Sequence, residues 1–251
     1  MEAYIKTQVE NQVGTIEFFH PQSNSLPGTQ LRELTAAINQ MSAHPEANVI
    51  VLKSAGDRAF CAGASFDELI SIRDRATGSE FFSGFATVIN AIRKSPKFVI
   101  VRVQGKAVGG GVGLAAAGDY TLATSFASIK LSELAVGIGP FVVGPAVARK
   151  VGTSAFSQLT INATEFQPAE WARQKGLYAE VYDSLDELDQ ALAQLTRKLA
   201  ASSPAAMEQI KKVLWEGTEH WDELLVQRAQ ISGELVLSNF TKEAINAFKG
   251  K

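Results

Sequence analysis

The sequence predicts an α/β fold with a helical C-terminal region, and two observations carry that prediction. Short apolar runs bounded by turn residues alternate with helical patterns through residues 1–160. Residues 165–249 then hold long amphipathic stretches and few strand signals. Alternating strands and helices build a sheet covered by helices. A block of amphipathic helices must bury its apolar stripes on that core or on another subunit.

The elements follow in order. IKTQVENQVGTIEFF alternates about Val13-Gly14 and predicts a hairpin. LRELTAAINQMS places Leu31, Leu34, Ala37, Ile38 and Met41 at helical spacing. ANVIVLKSAG and KFVIVRVQG are apolar runs stopped by turn residues, hence buried strands, and GDYTLATSFASIKL reads as a further pair. Phe81, Phe82 and Phe85 follow a helical pattern after Ser79, as core or interface packing or as the lining of an acyl-chain site. Helices are expected in PAEWARQKG, SLDELDQALAQLTRKLAAS, SPAAMEQIKKVLWEG, HWDELLVQRAQISGELVLS and FTKEAINAFK. Ser184 with Glu187, and Ser203 before Pro204, mark two helix starts.

Composition excludes several functions. The chain has 251 residues, with 24 Lys+Arg against 26 Asp+Glu, a net charge of −2 and 46% apolar residues. This length forms one large domain, or one domain with a small appendage. Scattered basic residues and near-zero charge leave no electrostatic case for nucleic acid or an anionic membrane as the main partner. The lone cysteine, Cys61, excludes an internal disulfide framework and a Cys-based zinc site, and suits a reducing compartment. His20, His44 and His220 lack ligand spacing, so no metal site is expected. No GxSxG nucleophile elbow occurs. The N-terminus has no apolar core behind a basic start, so no signal peptide is expected. The longest apolar run, Ala107–Gly118, is broken by glycines and falls far short of the ~20 residues that span a bilayer. A cytoplasmic enzyme or binding domain is the expectation.

Three motifs carry chemistry. In RAFCAGASFDEL, residues 58–69, a strand leads through Ala62-Gly63-Ala64 into a helix. Small side chains leave backbone N–H groups uncovered, and such donors can grip an oxygen that acquires negative charge. A plain strand-to-helix turn is the other reading. In QGKAVGGGVGLAAAGD, residues 104–119, three glycines open a short Ala-rich segment. No Gly-Lys-Ser/Thr follows, which excludes a Walker loop. Gly111 to Ala116 fits a loose GxGxxA dinucleotide pattern, but Gly118 would cut the helix short and no acid ends the next strand. A packing role for the glycines remains open. In KLSELAVGIGPFVVGPAV, Glu133 stands among apolar residues as the only acid between Asp119 and Glu165. A carboxylate in such surroundings has a raised pKa and can transfer protons near neutrality. The alternative is a surface acid at a turn.

Taken together, these motifs resemble the enoyl-CoA hydratase/isomerase (crotonase) family. The likeness starts at Asn24-Ser25-Leu26, runs through AFCAGASFDEL, QGKAVGGGVGLAAAGDYTLA and FASIKLSELAVGIGPFV, and reaches TKEAINAF, which is similar to that family's closing helix. The resemblance implies a crotonase-like spiral of ββα turns over residues 1–190. It implies a C-terminal helical trimerisation region over 191–251, and a homo-trimer or a hexamer of two trimers. It implies an acyl-CoA thioester substrate, with coenzyme A part of the substrate and no separate cofactor. The oxyanion hole would fall on the N–H groups of Ala64 and Gly110, with Glu133 as acid/base. Substrate contacts would fall on Ala62, Ala64, Ser65, Phe66, Gly110 and Gly113.

The departures from the family pattern are informative. Hydratases of this family commonly carry two glutamates, and the first falls here on Gly113. The residue after the first oxyanion donor is often Asp, and here it is Ser65. The chain stops at Lys251, before the basic stretch of many relatives, which puts the coenzyme A contact normally made there in doubt. The run GGGVGL followed by SELAVGIGPFVVGPAV is similar to bacterial 3-methylglutaconyl-CoA hydratases, which also carry glycine at the first glutamate position. The resemblance therefore implies an enoyl-CoA hydratase that adds water across the 2,3 double bond, in fatty acid metabolism, with 3-methylglutaconyl-CoA as a candidate substrate. A Δ3-Δ2 enoyl-CoA isomerase using the same glutamate and a non-catalytic acyl-CoA binder are the alternatives.

Overall fold

A computed structural model of the chain describes residues 2–249. It opens with a hairpin of β1 (Tyr4–Glu10) and β2 (Val13–Phe19). The reversal falls at Asn11 and Gln12, with φ of 50° and 65°. Two positive φ values give a turn whose twist matches its strands, and Asn tolerates that conformation well. The turn thus precedes the expected Val13-Gly14, which lies inside β2. There an ideal Cβ on Gly14 would lie 3.0 Å from Met41 Sδ, so glycine lets α1 (Gly28–Ala43) sit close on the strand. Leu31, Leu34, Ala37, Ile38 and Met41 form the buried face of α1, as their spacing predicts.

Three repeats follow, each giving one strand to a large sheet, one to a small sheet, then helix. The first is β3 (Val49–Ser54), β4 (Ala59–Cys61), α2 (Phe66–Ser71) and α3 (Arg75–Lys94). The second is β5 (Val99–Val103), β6 (Lys106–Val108) and α4 (Gly110–Ala117). The third is β7 (Tyr120–Thr124), β8 (Ile129–Lys130) and α5 (Gly144–Ile161). After α6 (Ala169–Gln174), β9 (Glu180–Tyr182) completes the large sheet in the order β1-β2-β3-β5-β7-β9, while β4-β6-β8 form the small one. Among the described residues, every strand–strand pairing after β1–β2 is parallel. This is a spiral of ββα turns. Strand β5 is buried along its whole length, as a strand with both faces covered must be.

The C-terminal helices close the core. Helix α7 (Leu185–Ala200) starts at Ser184, whose Oγ accepts the Glu187 N–H at 3.2 Å. It lays Leu188 and Ala200 on Val49, Ile100 and Leu122 of the large sheet. Arg102 of β5 clasps Asp189 with two hydrogen bonds of 2.5 and 2.9 Å. Residue 190 lies inside α7, so the expected division at 190/191 cuts a helix bound to the sheet. Next come α8 (Pro204–Leu214), α9 (Trp221–Leu235) and α10 (Asn239–Lys249). Their Trp215, Trp221, Leu225, Ala229 and Ile245 share one core with the spiral. Helices α3 and α9 cross at Gly78 and Gly233, where an ideal Cβ on Gly78 would lie 2.7 Å from Gly233 O. The chain end at Lys251 lies outside the described residues. Among them, no helix is long and apolar enough to cross a membrane.

Candidate active site

The first turn of the site leaves β4 through Ala62, Gly63 and Ala64. It is tied to the segment before α1: Ala62 N–H donates to Ser23 O, Leu26 N–H to Gly63 O, and Ser65 N–H to Leu26 O. Asn24 braces this segment by donating from Nδ2 to Ala55 O and Ala59 O at 2.9 Å each. Gly63 has φ +87°, and an ideal Cβ there would lie 2.8 Å from Val108 O and 3.3 Å from Gly110 N. Only glycine lets the two turns touch. Among the described residues, the Ala64 and Gly110 N–H groups make no hydrogen bond.

The glycine triplet has a packing reason at each position. Gly109 has φ +53°, and a Cβ there would meet Glu133 Oε1 at 3.1 Å. At Gly110 it would lie 2.2 Å from Phe85 Cε1, and at Gly111 2.4 Å from Cys61 O. The packing reading of these glycines is therefore realised at all three positions, and the Gly110 N–H is left without a hydrogen bond among the described residues. Helix α4 ends at Gly118 after eight residues, too short for a dinucleotide unit.

Glu133 precedes a 3₁₀ turn, Leu134–Val136, which closes on Gly137 at φ +76°. Its carboxylate lies against Gly109. Its Oε2 is sealed from solvent and has no hydrogen-bond partner among the described residues. Burial pushes its pKa up to about 7. The cause is desolvation of the charged form, since no cation or donor side chain compensates it.

Both turns and Glu133 line one cavity. Its walls are apolar, with Phe66, Phe82, Phe85, Phe141 and Val143 prominent. Of the residues expected from sequence, Ala62, Ala64, Phe66, Gly110 and Glu133 line it. Ser65 and Gly113 do not. Ser65 turns its Oγ to the Glu68 N–H as the cap of α2. Gly113 lies behind Val143: a Cβ on Gly113 would fall 2.4 Å from Val143 Cγ1. Phe141, Val143 and Ser232 escaped the sequence reading. Phe141 and Val143 lie in the quoted GPFVVGP loop. Ser232 comes from α9, and no local pattern points to it.

Fold and site define a class: a ββα spiral whose cavity holds two unengaged main-chain donors and one sequestered carboxylate. Such an arrangement can stabilise charge on a carbonyl oxygen and move a proton beside it. The enoyl-CoA hydratase/isomerase family model matches residues 8–251, and the chain belongs to that family. A probable enoyl-CoA hydratase of Bacillus subtilis (strain 168) is 28% identical over 250 residues, covering 98% of this chain and 96% of that one. The peroxisomal Delta(3,5)-Delta(2,4)-dienoyl-CoA isomerase of Arabidopsis thaliana is 29% identical, covering 86% and 81%. The mitochondrial methylglutaconyl-CoA hydratase of Mus musculus is 30% identical, covering 78% and 63%. The crystal structure of enoyl-CoA hydratase from Bacillus halodurans shares the fold, with a TM-score of 0.89 at 22% identity over 97% of this chain and 99% of that one.

Proposed function

We propose that this chain is an enoyl-CoA hydratase that adds water across the 2,3 double bond of an enoyl-CoA thioester. The observation that carries the reading is the unpartnered Glu133 Oε2, in the same cavity as the unengaged Ala64 and Gly110 N–H groups. The thioester oxygen takes both N–H groups. Glu133 removes a proton from water as its oxygen bonds to Cβ, and the π electrons move to the thioester oxygen as an enolate. Glu133 then returns the proton to Cα, and the enolate collapses to the thioester. Each donor stabilises that enolate by about 2.7–4 kcal/mol. A pKa of about 7 suits a group that must both take and give the proton. No electrons leave the substrate, so coenzyme A, carried by the substrate, is the only cofactor-like group required.

A second reading, Δ3-Δ2 isomerisation, is favoured by Val143, which covers Gly113 and leaves Glu133 without a second carboxylate. One base that moves a proton from Cα to the distal carbon completes that reaction. Absorbance of the conjugated enoyl thioester separates the two. A fall with a 2-enoyl-CoA supports hydration. A rise with a 3-enoyl-CoA and no fall with the other supports isomerisation and overturns the hydratase reading. Assembly as a homo-trimer or hexamer draws support from the apolar Ile210, Val213 and Leu214, left exposed on α8.

A further inference from the structure

We infer that the acyl pocket selects enoyl-CoA thioesters whose acyl group is uncharged, and rejects those ending in a free carboxylate. This rests on the proposed acyl-CoA site and adds its specificity. Among the described residues, the cavity lining contains no lysine, arginine or histidine. Its side-chain polar groups are the Glu133 carboxylate and the hydroxyls of Ser132 and Ser232. Four cations on the elements that build the site are engaged elsewhere. Lys106 of β6 and Lys130 of β8 stand over the Phe166 ring, 5.1 and 4.4 Å from its centre. Arg149 of α5 lies 4.0 Å from the centre of the Trp215 ring, and Lys150 donates to Asp119 O at 3.3 Å. Asp67 lies in an adjoining cleft that shares Ala62, Ala64 and Phe66 with the cavity; it is an acid and accepts from Gln22 Nε2 at 2.6 Å.

A distal carboxylate entering this pocket would lose water without gaining a cation, which hydroxyls cannot replace. It would also stand in one cavity with the Glu133 carboxylate, and like charges in a shared apolar space oppose each other. The two oxyanion donors offer no rescue, because the thioester oxygen occupies them. This specificity separates the chain from the methylglutaconyl-CoA hydratases that its loop resembles, whose named substrate carries such a carboxylate.

The test has a kinetic arm and a binding arm, both on the wild-type protein. In the first, kcat/KM is measured for 3-methylcrotonyl-CoA and 3-methylglutaconyl-CoA, which differ by the terminal carboxylate. The expected preference for the neutral substrate is about 100-fold or more. An equal or greater kcat/KM for the dicarboxylic substrate overturns the inference. In the second arm, calorimetry compares pentanoyl-CoA with glutaryl-CoA, of equal chain length and unable to react. Tighter binding of pentanoyl-CoA, by about tenfold or more, supports charge selection even if neither enoyl substrate turns over, and the hydratase reading is then decided separately by the 2-enoyl-CoA absorbance. Equal affinities overturn the selection. Absence of binding by both overturns the selection and the acyl-CoA site together.

Discussion

Val143 occupies the space that any side chain at position 113 would need, with its Cγ1 only 2.4 Å from the ideal Cβ of Gly113. The glycine and the valine are one packing unit. The bare position 113 and the closed wall of the cavity are the same structural feature. Gly113→Glu alone is therefore expected to destabilise the fold, by about 1–3 kcal/mol from overpacking before any cost of the buried charge. Val143→Ala in the same chain should recover a substantial part of that loss. Chemical denaturation of both variants checks it, and equal stability of the single and double variants would refute the coupling.

Gly63 sets the contact between the two donor turns. Gly63→Ala forces a left-handed backbone on a residue with a Cβ, at about 1–2 kcal/mol, and drives that Cβ toward Val108 O and Gly110 N. The expected result is a folded protein whose kcat falls about 10- to 100-fold because a donor is misplaced. Circular dichroism with steady-state kinetics reads both, and an unchanged kcat would remove the donors from the account.

The Glu133 pKa gives two opposite pH trends. In the proposed reaction turnover needs the ionised base, so kcat/KM for hydration should fall about tenfold per pH unit below about 7. Stability runs the other way. The folded carboxyl, raised from 4.5 to about 7, binds its proton more tightly than the unfolded one. Its stabilising contribution is complete below about 4.5 and is lost as pH rises through about 7, amounting to at most ~3 kcal/mol. Glu133→Gln should then be more stable than wild type at pH 8 and nearly equal at pH 4. A melting series across that range decides it.

Lys211 and Lys212 are neighbours in sequence with different roles. Lys211 Nζ is buried and donates to Ile92 O, Lys97 O and Asp119 Oδ2, each at 2.8 Å. Asp119 also accepts the Val99 N–H and Trp215 Nε1–H. Lys211→Ala leaves that carboxylate buried without its cation and should cost about 3–5 kcal/mol. Lys212 pairs with Glu208 in solvent, so Lys212→Ala should cost under about 0.5 kcal/mol. Denaturant midpoints of the two variants make the comparison.

Much of this was legible in the sequence where one period or one turn decides the local structure. The apolar spacing of α1 names its buried face, and the Gly/Ala turns mark the segments whose N–H groups are left without hydrogen bonds among the described residues. Glu133 is conspicuous as a lone acid in an apolar run. The hairpin turn was misplaced because Gly14, the obvious turn residue, is there to admit Met41, while the chain reverses at Asn11 and Gln12. The strands of the small sheet span two or three residues, too few to show a period. Strand β9 is an equally short edge strand between helices, with only partly buried side chains. Val143 over Gly113 and Ser232 in the cavity depend on contacts between distant segments, which no local pattern encodes.

In the proposed reaction Glu133 alone handles the proton. This role is tested most directly by following the enoyl-thioester absorbance of a 2-enoyl-CoA with wild type and Glu133→Gln, after calorimetry has shown that both bind the acyl-CoA. The expected result is a falling signal for wild type and a flat one for the variant at unchanged affinity. A variant that retains near-wild-type kcat would contradict it and move the chemistry to another group.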